Sequence, residues 1–194
     1  MRDWLNSDDI ERLEASARTP KGHRRAAETL TGWAREPNQD DEVTPADLLS
    51  AAAWHLQQAG DGEAALDLYR QAVAAGRTTS LDARCLLHAA LLKAGLSEEA
   101  QQVADEFRHS RPPISDVTAM AENFEEAGDL DQAHRWVVMG VNRLDLDDGT
   151  EPANDFDTEY LLSARLRIRR AIGFPPDELD RTAEANRARH RSDP

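Results

Sequence analysis

Six histidines, one cysteine and 37 acidic side chains are the groups with catalytic or ligating potential in this 194-residue chain. The histidines are His23, His55, His88, His109, His134 and His190. None sits in the His-Glu-x-x-His spacing that puts two metal ligands on one helical face. The single cysteine, Cys85, stands three residues before His88, so a helix would place thiol and imidazole on one side. An imidazole within reach can activate a thiol as a nucleophile. Packing with a polar filler is the favoured reading, with the caution that a buried His88 would need a better hydrogen-bond partner than a thiol. The acidic stretch Asp145 to Asp157 has the composition of a calcium loop. With Asp145 first and Asp147 third, however, the glycine comes one place early and Phe156 falls where the bidentate acid belongs. A solvated linker is expected there. GxGxxG, GxxxxGKS/T and GxSxG runs are absent. The expectation is a chain with no enzymatic site, no cofactor and no metal.

Stepping from side chains to the chain that must hold them, 194 residues allow one domain or two small ones. Alanine, leucine, acids and arginine dominate, and β-branched and aromatic residues are scarce, which favours helix over sheet. One cysteine excludes an internal disulfide framework and fits a reducing, cytoplasmic location. No stretch approaches the roughly 18 apolar residues of a membrane span. The opening MRDWLNSDDIERLE carries acids early and has no apolar core of a secretory leader. A formal charge of −14 argues against nonspecific nucleic-acid binding by the whole chain.

An internal repeat organises the middle. Gly60, Gly95 and Gly128 lie 35 and then 33 residues apart, and each is followed five residues later by an alanine: Ala65, Ala100, Ala133. Four residues before the glycines stand Leu56, Leu91 and Phe124; seven before stand Ala53, His88 and Ala121. Tyr69, Ala104 and Val137 follow the shared alanine by four. The pattern predicts three helix–turn–helix units. Glycine takes the left-handed conformation at the end of the first helix of each unit. Asp61, Ser97 and Asp129 are positioned to cap the second. A lone hairpin of this kind cannot bury its apolar stripe, so neighbours must stack.

This pattern resembles the tetratricopeptide repeat, a 34-residue helix–turn–helix unit, over residues 46–76, 81–112 and 114–144. Ala53, Gly60, Ala65, Tyr69 and Ala72 fall on its consensus positions, and Pro112 closes the second unit as the family commonly does. His88 replaces a usual small residue, and Phe107 and Gly140 replace a late alanine. The resemblance implies an all-α fold, a right-handed superhelix of antiparallel helix hairpins with about ten helices. It also implies a non-enzymatic scaffold whose concave groove binds a peptide or helix of a partner protein. The groove positions it carries over are Asp47, Ser50, Trp54, Gln57 and Gln58 in the first unit. In the second they are Asp82, Cys85, Ala89, Leu92 and Lys93, and in the third Ser115, Thr118, Glu122, Glu125 and Glu126. Only Lys93 matches the family's clamp for C-terminal carboxylates, so an acidic chaperone tail is not expected. Part apolar and part acidic, the groove suits a basic or amphipathic partner, with Trp54 as its anchor.

The flanks read as further helix pairs within a single repeat domain. An N-terminal pair comprises residues 7–17, capped by Ser7, and 21–35. Residues 36–43 read as a mobile connection, and Thr44-Pro45 opens the first repeat. After the acidic loop at 145–157, a helix from Phe156 to Ile172 carries the stripe Leu161, Ala164, Ile168, Ile172. A polar terminal helix at about 177–190 would cap the stack. Residues 151–194 hold eight arginines. Arg165, Arg169 and Arg170 can share one helix side, which gives the alternative reading: a nucleic-acid-associated regulator. That reading needs the side free of acids.

Overall fold

The structure, a computed structural model, describes residues 4–144 and 155–192. Every regular element among them is a helix. In chain order these are α1 (Ser7–Ser16), α2 (Pro20–Arg35), α3 (Pro45–Ala59), α4 (Gly62–Ala75), α5 (Ala83–Lys93), α6 (Ser97–His109), α7 (Ile114–Glu126), α8 (Leu130–Leu144), α9 (Asp155–Ile172) and α10 (Glu178–Ser192). The all-α expectation holds, and helices adjacent in the chain pack in pairs. The chain divides into two compact units, residues 1–100 and 101–194, and the boundary falls inside α6. The expected loop residues Asp145 and Asp147 lie outside the described residues.

The three glycine landmarks close their turns with one set of backbone bonds. At the first, the amide of Asp61 donates to the carbonyl of Leu56 and that of Gly60 to Gln57. Leu96 to Leu91 and Gly95 to Leu92 repeat this at the second, and Asp129 to Phe124 and Gly128 to Glu125 at the third. The glycines have φ of 84°, 75° and 81°, a region that a Cβ makes costly. The next helix starts in the same register each time: the amides of Ala65, Ala100 and Ala133 donate to Asp61, Leu96 and Asp129. Those three alanines are wholly buried.

In the unit of residues 1–100, Leu5, Ala27, Leu30, Val43, Leu48 and Ala52 form a core, with Ile10, Leu13 and Trp33 packed against it. Alanines at 52, 53, 65 and 72 are fully enclosed, so α3 and α4 approach closely. Several local expectations are corrected. Asn6, not Ser7, caps α1, in a reciprocal box with Asp9. Helix α2 begins at Pro20 under a Thr19 cap. Asp61 makes no cap bond because Arg24 holds its carboxylate at 2.6 and 2.9 Å. Ser97 is the first residue of α6 rather than the residue before it. The 36–43 connection is tied down: Asp41 accepts from the amides of Leu5 and Asn38, Glu42 donates to Leu5, and Val43 is buried.

In the unit of residues 101–194, the departures from the repeat pattern acquire a reason. Phe107 fills space against the buried Trp136, ring centroids 6.4 Å apart. Gly140 lets α9 approach α8: a Cβ there would stand 2.9 Å from both methyls of the buried Leu161 and 3.0 Å from Val117. Leu161, Ala164 and Ile168 are enclosed as the stripe predicts. In α10 the buried apolar residue is Ala183, and Leu179 is left 37% exposed. A Gly140→Val substitution should therefore overpack the α7–α8–α9 contact and cost about 2 kcal/mol. Urea denaturation of the variant checks this, and an unchanged midpoint would refute the close approach.

Candidate functional site

The unit of residues 1–100 holds the more open of the expected positions. Trp54 emerges from α3 with 38% of its surface exposed. Its ring is propped edge-on by His55 at 4.9 Å and 70° and by His23 of α2 at 5.7 Å and 73°. His23 and His55 meet through their Nδ1 atoms at 2.8 Å. His55 is fully buried, and burial, then the charge of His23, pushes its imidazole down to about 4. Gln57 is fixed by Tyr69, whose hydroxyl donates to its Oε1 at 3.0 Å; burial of that hydroxyl pushes it up to about 12. Gln57 and Lys93 come together on one recess of about 190 Å³, floored by Leu66 and Ala90. Gln58 and Lys93 are exposed, and Ala89 and Leu92 are half-buried.

Other expected positions serve the fold. Asp47 is in a capping box with Thr44 and also accepts from the amide of Thr79. Asp82 caps α5 and pairs with Arg84 at 2.8 Å. Ser50 is buried. Cys85 and His88 are both enclosed, and burial pushes His88 down to about 4, so its ring is neutral near pH 7.

In the unit of residues 101–194, Thr118 is fully buried and donates to the carbonyl of Ile114 within its own helix, while Ser115 is half-buried. Glu122 and Glu125 are half-buried and engaged by Arg167 of α9, at 2.9 and 2.7 Å. Those two carboxylates hold the Arg167 guanidinium well above its ordinary value. Tyr160 donates to Glu122 at 2.8 Å, which raises its phenol. Glu126 is exposed.

The arginines of α9 are likewise committed within the unit. Arg165 reaches Asp177 and Asp180, each at 2.5 Å, and Arg169 reaches the same two acids at 3.2 and 3.0 Å. Arg170 pairs with Glu184. Asp177 and Asp180 also form a reciprocal capping box at the start of α10, each accepting from the other's amide. The acid-free side that a nucleic-acid reading requires is therefore not present on α9. His23, His55, Tyr160 and Arg167 were not singled out as groove positions. His23 of α2 meets His55 of α3, and Tyr160 and Arg167 of α9 meet Glu122 of α7; a linear spacing carries no signal for either meeting.

Among the described residues no group of three or more His, Cys, Asp or Glu side chains is arranged to hold a metal ion. No helix among them is long and apolar enough to cross a membrane. These features define an all-helical protein of adjacently packed helices. The chain matches no protein-family model and no curated protein.

Two outcomes follow from the α9–α10 ion network. Arg165→Ala leaves the buried Asp180 short of a partner, with an expected loss of about 3 kcal/mol in urea denaturation. The Asp177 carboxyl is held well below the usual carboxylate range, chiefly by the hydrogen bond from Arg165. A carboxyl lowered on folding stabilises above its unfolded value near 3.9, and that stability is lost as pH falls through the folded value. Stability should drop between pH 5 and pH 2, and Asp177→Asn should flatten that slope. An equal slope in the variant would show that Asp177 is not the group responsible.

Proposed function

We propose that this protein is a non-enzymatic, cytoplasmic scaffold of tetratricopeptide-like repeats that binds a peptide or helix of a partner protein. The observation that carries this reading is Trp54: a large aromatic side chain, more than a third exposed, held in one orientation by two histidine rings. Tryptophans of this kind anchor interfaces because they bury much surface at little conformational cost. The surrounding chemistry of α3 and α5 is mixed. Leu92 and Ala89 are apolar, Gln57 and Gln58 offer amides, and Lys93 offers a cation. An amphipathic helix suits that set. A purely basic partner is less well supported, because Glu122 and Glu125 already spend their charge on Arg167. The three identical glycine turns support the repeat reading.

The test is affinity capture from native extract with wild-type protein and with Trp54→Ala. A hot-spot tryptophan is worth about 2 kcal/mol, so the captured partner should bind about 30-fold more weakly to the variant. Helical content and melting temperature, measured alongside, establish that the variant is folded. Unchanged capture by a folded variant would remove Trp54 from the mechanism.

A further inference from the structure

The imidazoles beneath Trp54 face one another through like atoms, Nδ1 to Nδ1, at 2.8 Å. Such a contact is a hydrogen bond only when one ring carries the proton there and the other does not. The surroundings decide which. Nε2 of the fully buried His55 meets no hydrogen-bond partner among the described residues. A proton on that nitrogen would be stranded, so the favoured tautomer of His55 carries its proton on Nδ1 and donates it to His23. His23, half-exposed on α2, accepts at Nδ1 and keeps its own proton on Nε2.

We infer that this pair is a proton-controlled seat for the Trp54 ring, so that adding one proton loosens Trp54 and weakens partner binding at this face. The inference rests on the scaffold reading above for its consequence, though not for its mechanism. Burial disfavours a second proton on His55, whose Nε2 has no partner to stabilise the charge, so the added proton is taken at Nδ1 of His23 in place of the hydrogen bond that this lone pair accepts. Two N–H groups then confront each other. Either His55 moves its proton to the stranded Nε2, or the His23 ring swings away. His23 forms no ion pair among the described residues that would hold the charged ring in place. Its charged neighbours on α2 are Lys21, Arg24 and Arg25, all cationic. From the turn after α3, Asp61 reaches α2 but is taken by Arg24. Helix α3 presents His55 and Trp54. On the α1 side, Glu14 stands in the last turn of the helix, its carboxyl raised by burial and by Glu11, and Arg18 lies in the α1–α2 corner. When His23 leaves, Trp54 loses one of its two edge contacts.

The experiment follows the Trp54 indole N–H resonance, assigned with Trp54→Phe, in the full chain from pH 8 to pH 5, together with the imidazole nitrogens. At pH 8, His55 should show the Nδ1–H tautomer. On acidification the Trp54 signal should shift along the same curve as the His23 ring nitrogens. His23→Asn offers an amide oxygen to the His55 proton but cannot titrate, and it should abolish the shift. A Trp54 signal flat from pH 8 to pH 5, the same shift in His23→Asn, or an Nε2–H tautomer of His55 would each overturn the inference. The wild-type tautomer measurement keeps the test decisive if the variant does not fold. These spectra need no partner. A pH response combined with capture insensitive to Trp54→Ala would therefore uphold the seat and sink the scaffold reading.

Discussion

The left-handed turn at Gly60, Gly95 and Gly128 is the constraint on which each hairpin depends. A helix that is to reverse within two or three residues must satisfy its last carbonyls before the chain turns back. Here the carbonyls of Leu56, Leu91 and Phe124 are each met by the amide five residues further on. That geometry needs φ near +80° at one residue, a place where only glycine is unstrained. The same turn fixes the start of the following helix, so Ala65, Ala100 and Ala133 arrive wholly buried. A larger side chain there would push the two helices apart, and the apolar stripes of both would lose contact. Local backbone chemistry and helix packing are thus two ends of one requirement.

This explains why so much of the fold was legible. Glycine and alanine at fixed spacing are direct statements about backbone conformation and interhelical distance. Apolar residues at three- and four-residue intervals state which side of a helix is enclosed. Leu161, Ala164 and Ile168 are buried as that rule requires. Caps were less legible, because a cap is a competition. Asp61 has the right type and place to cap α4, but Arg24, 37 positions away, takes its carboxylate. The 36–43 connection read as polar and mobile, and the reason it is tied is likewise distant: the Leu5 backbone exchanges bonds with Asp41 and Glu42.

The site was legible in part, for the same reason. Trp54 is a position the tetratricopeptide resemblance carries over, and the structure leaves it more than a third exposed. Its support does not follow from position, because His23 and His55 lie on different helices and only their packing sets Nδ1 against Nδ1. Composition also misled about charge. Glutamates at 122 and 125 suggest an acidic surface, and four arginines between 165 and 170 suggest a basic one. In the folded unit the two sets partly cancel through Arg167, and the remaining three guanidiniums are spent on Asp177, Asp180 and Glu184.

That cancellation bears on where recognition can occur. Exposed ion pairs contribute little to stability, but a paired carboxylate is a poor docking point, because a newcomer's cation must first displace the resident guanidinium. Around Trp54 no such toll applies. Its ring contacts are two imidazoles, one of them held neutral by burial, and more than a third of its surface is exposed. An incoming apolar side chain there gains the full benefit of removing tryptophan surface from water. Gln57 and Lys93, which share a recess in the same unit, offer polar groups that can set orientation. Affinity at such a face is governed by apolar burial and by how firmly the ring is held. Both depend on the two histidines beneath it more than on the 37 acidic side chains that dominate the composition.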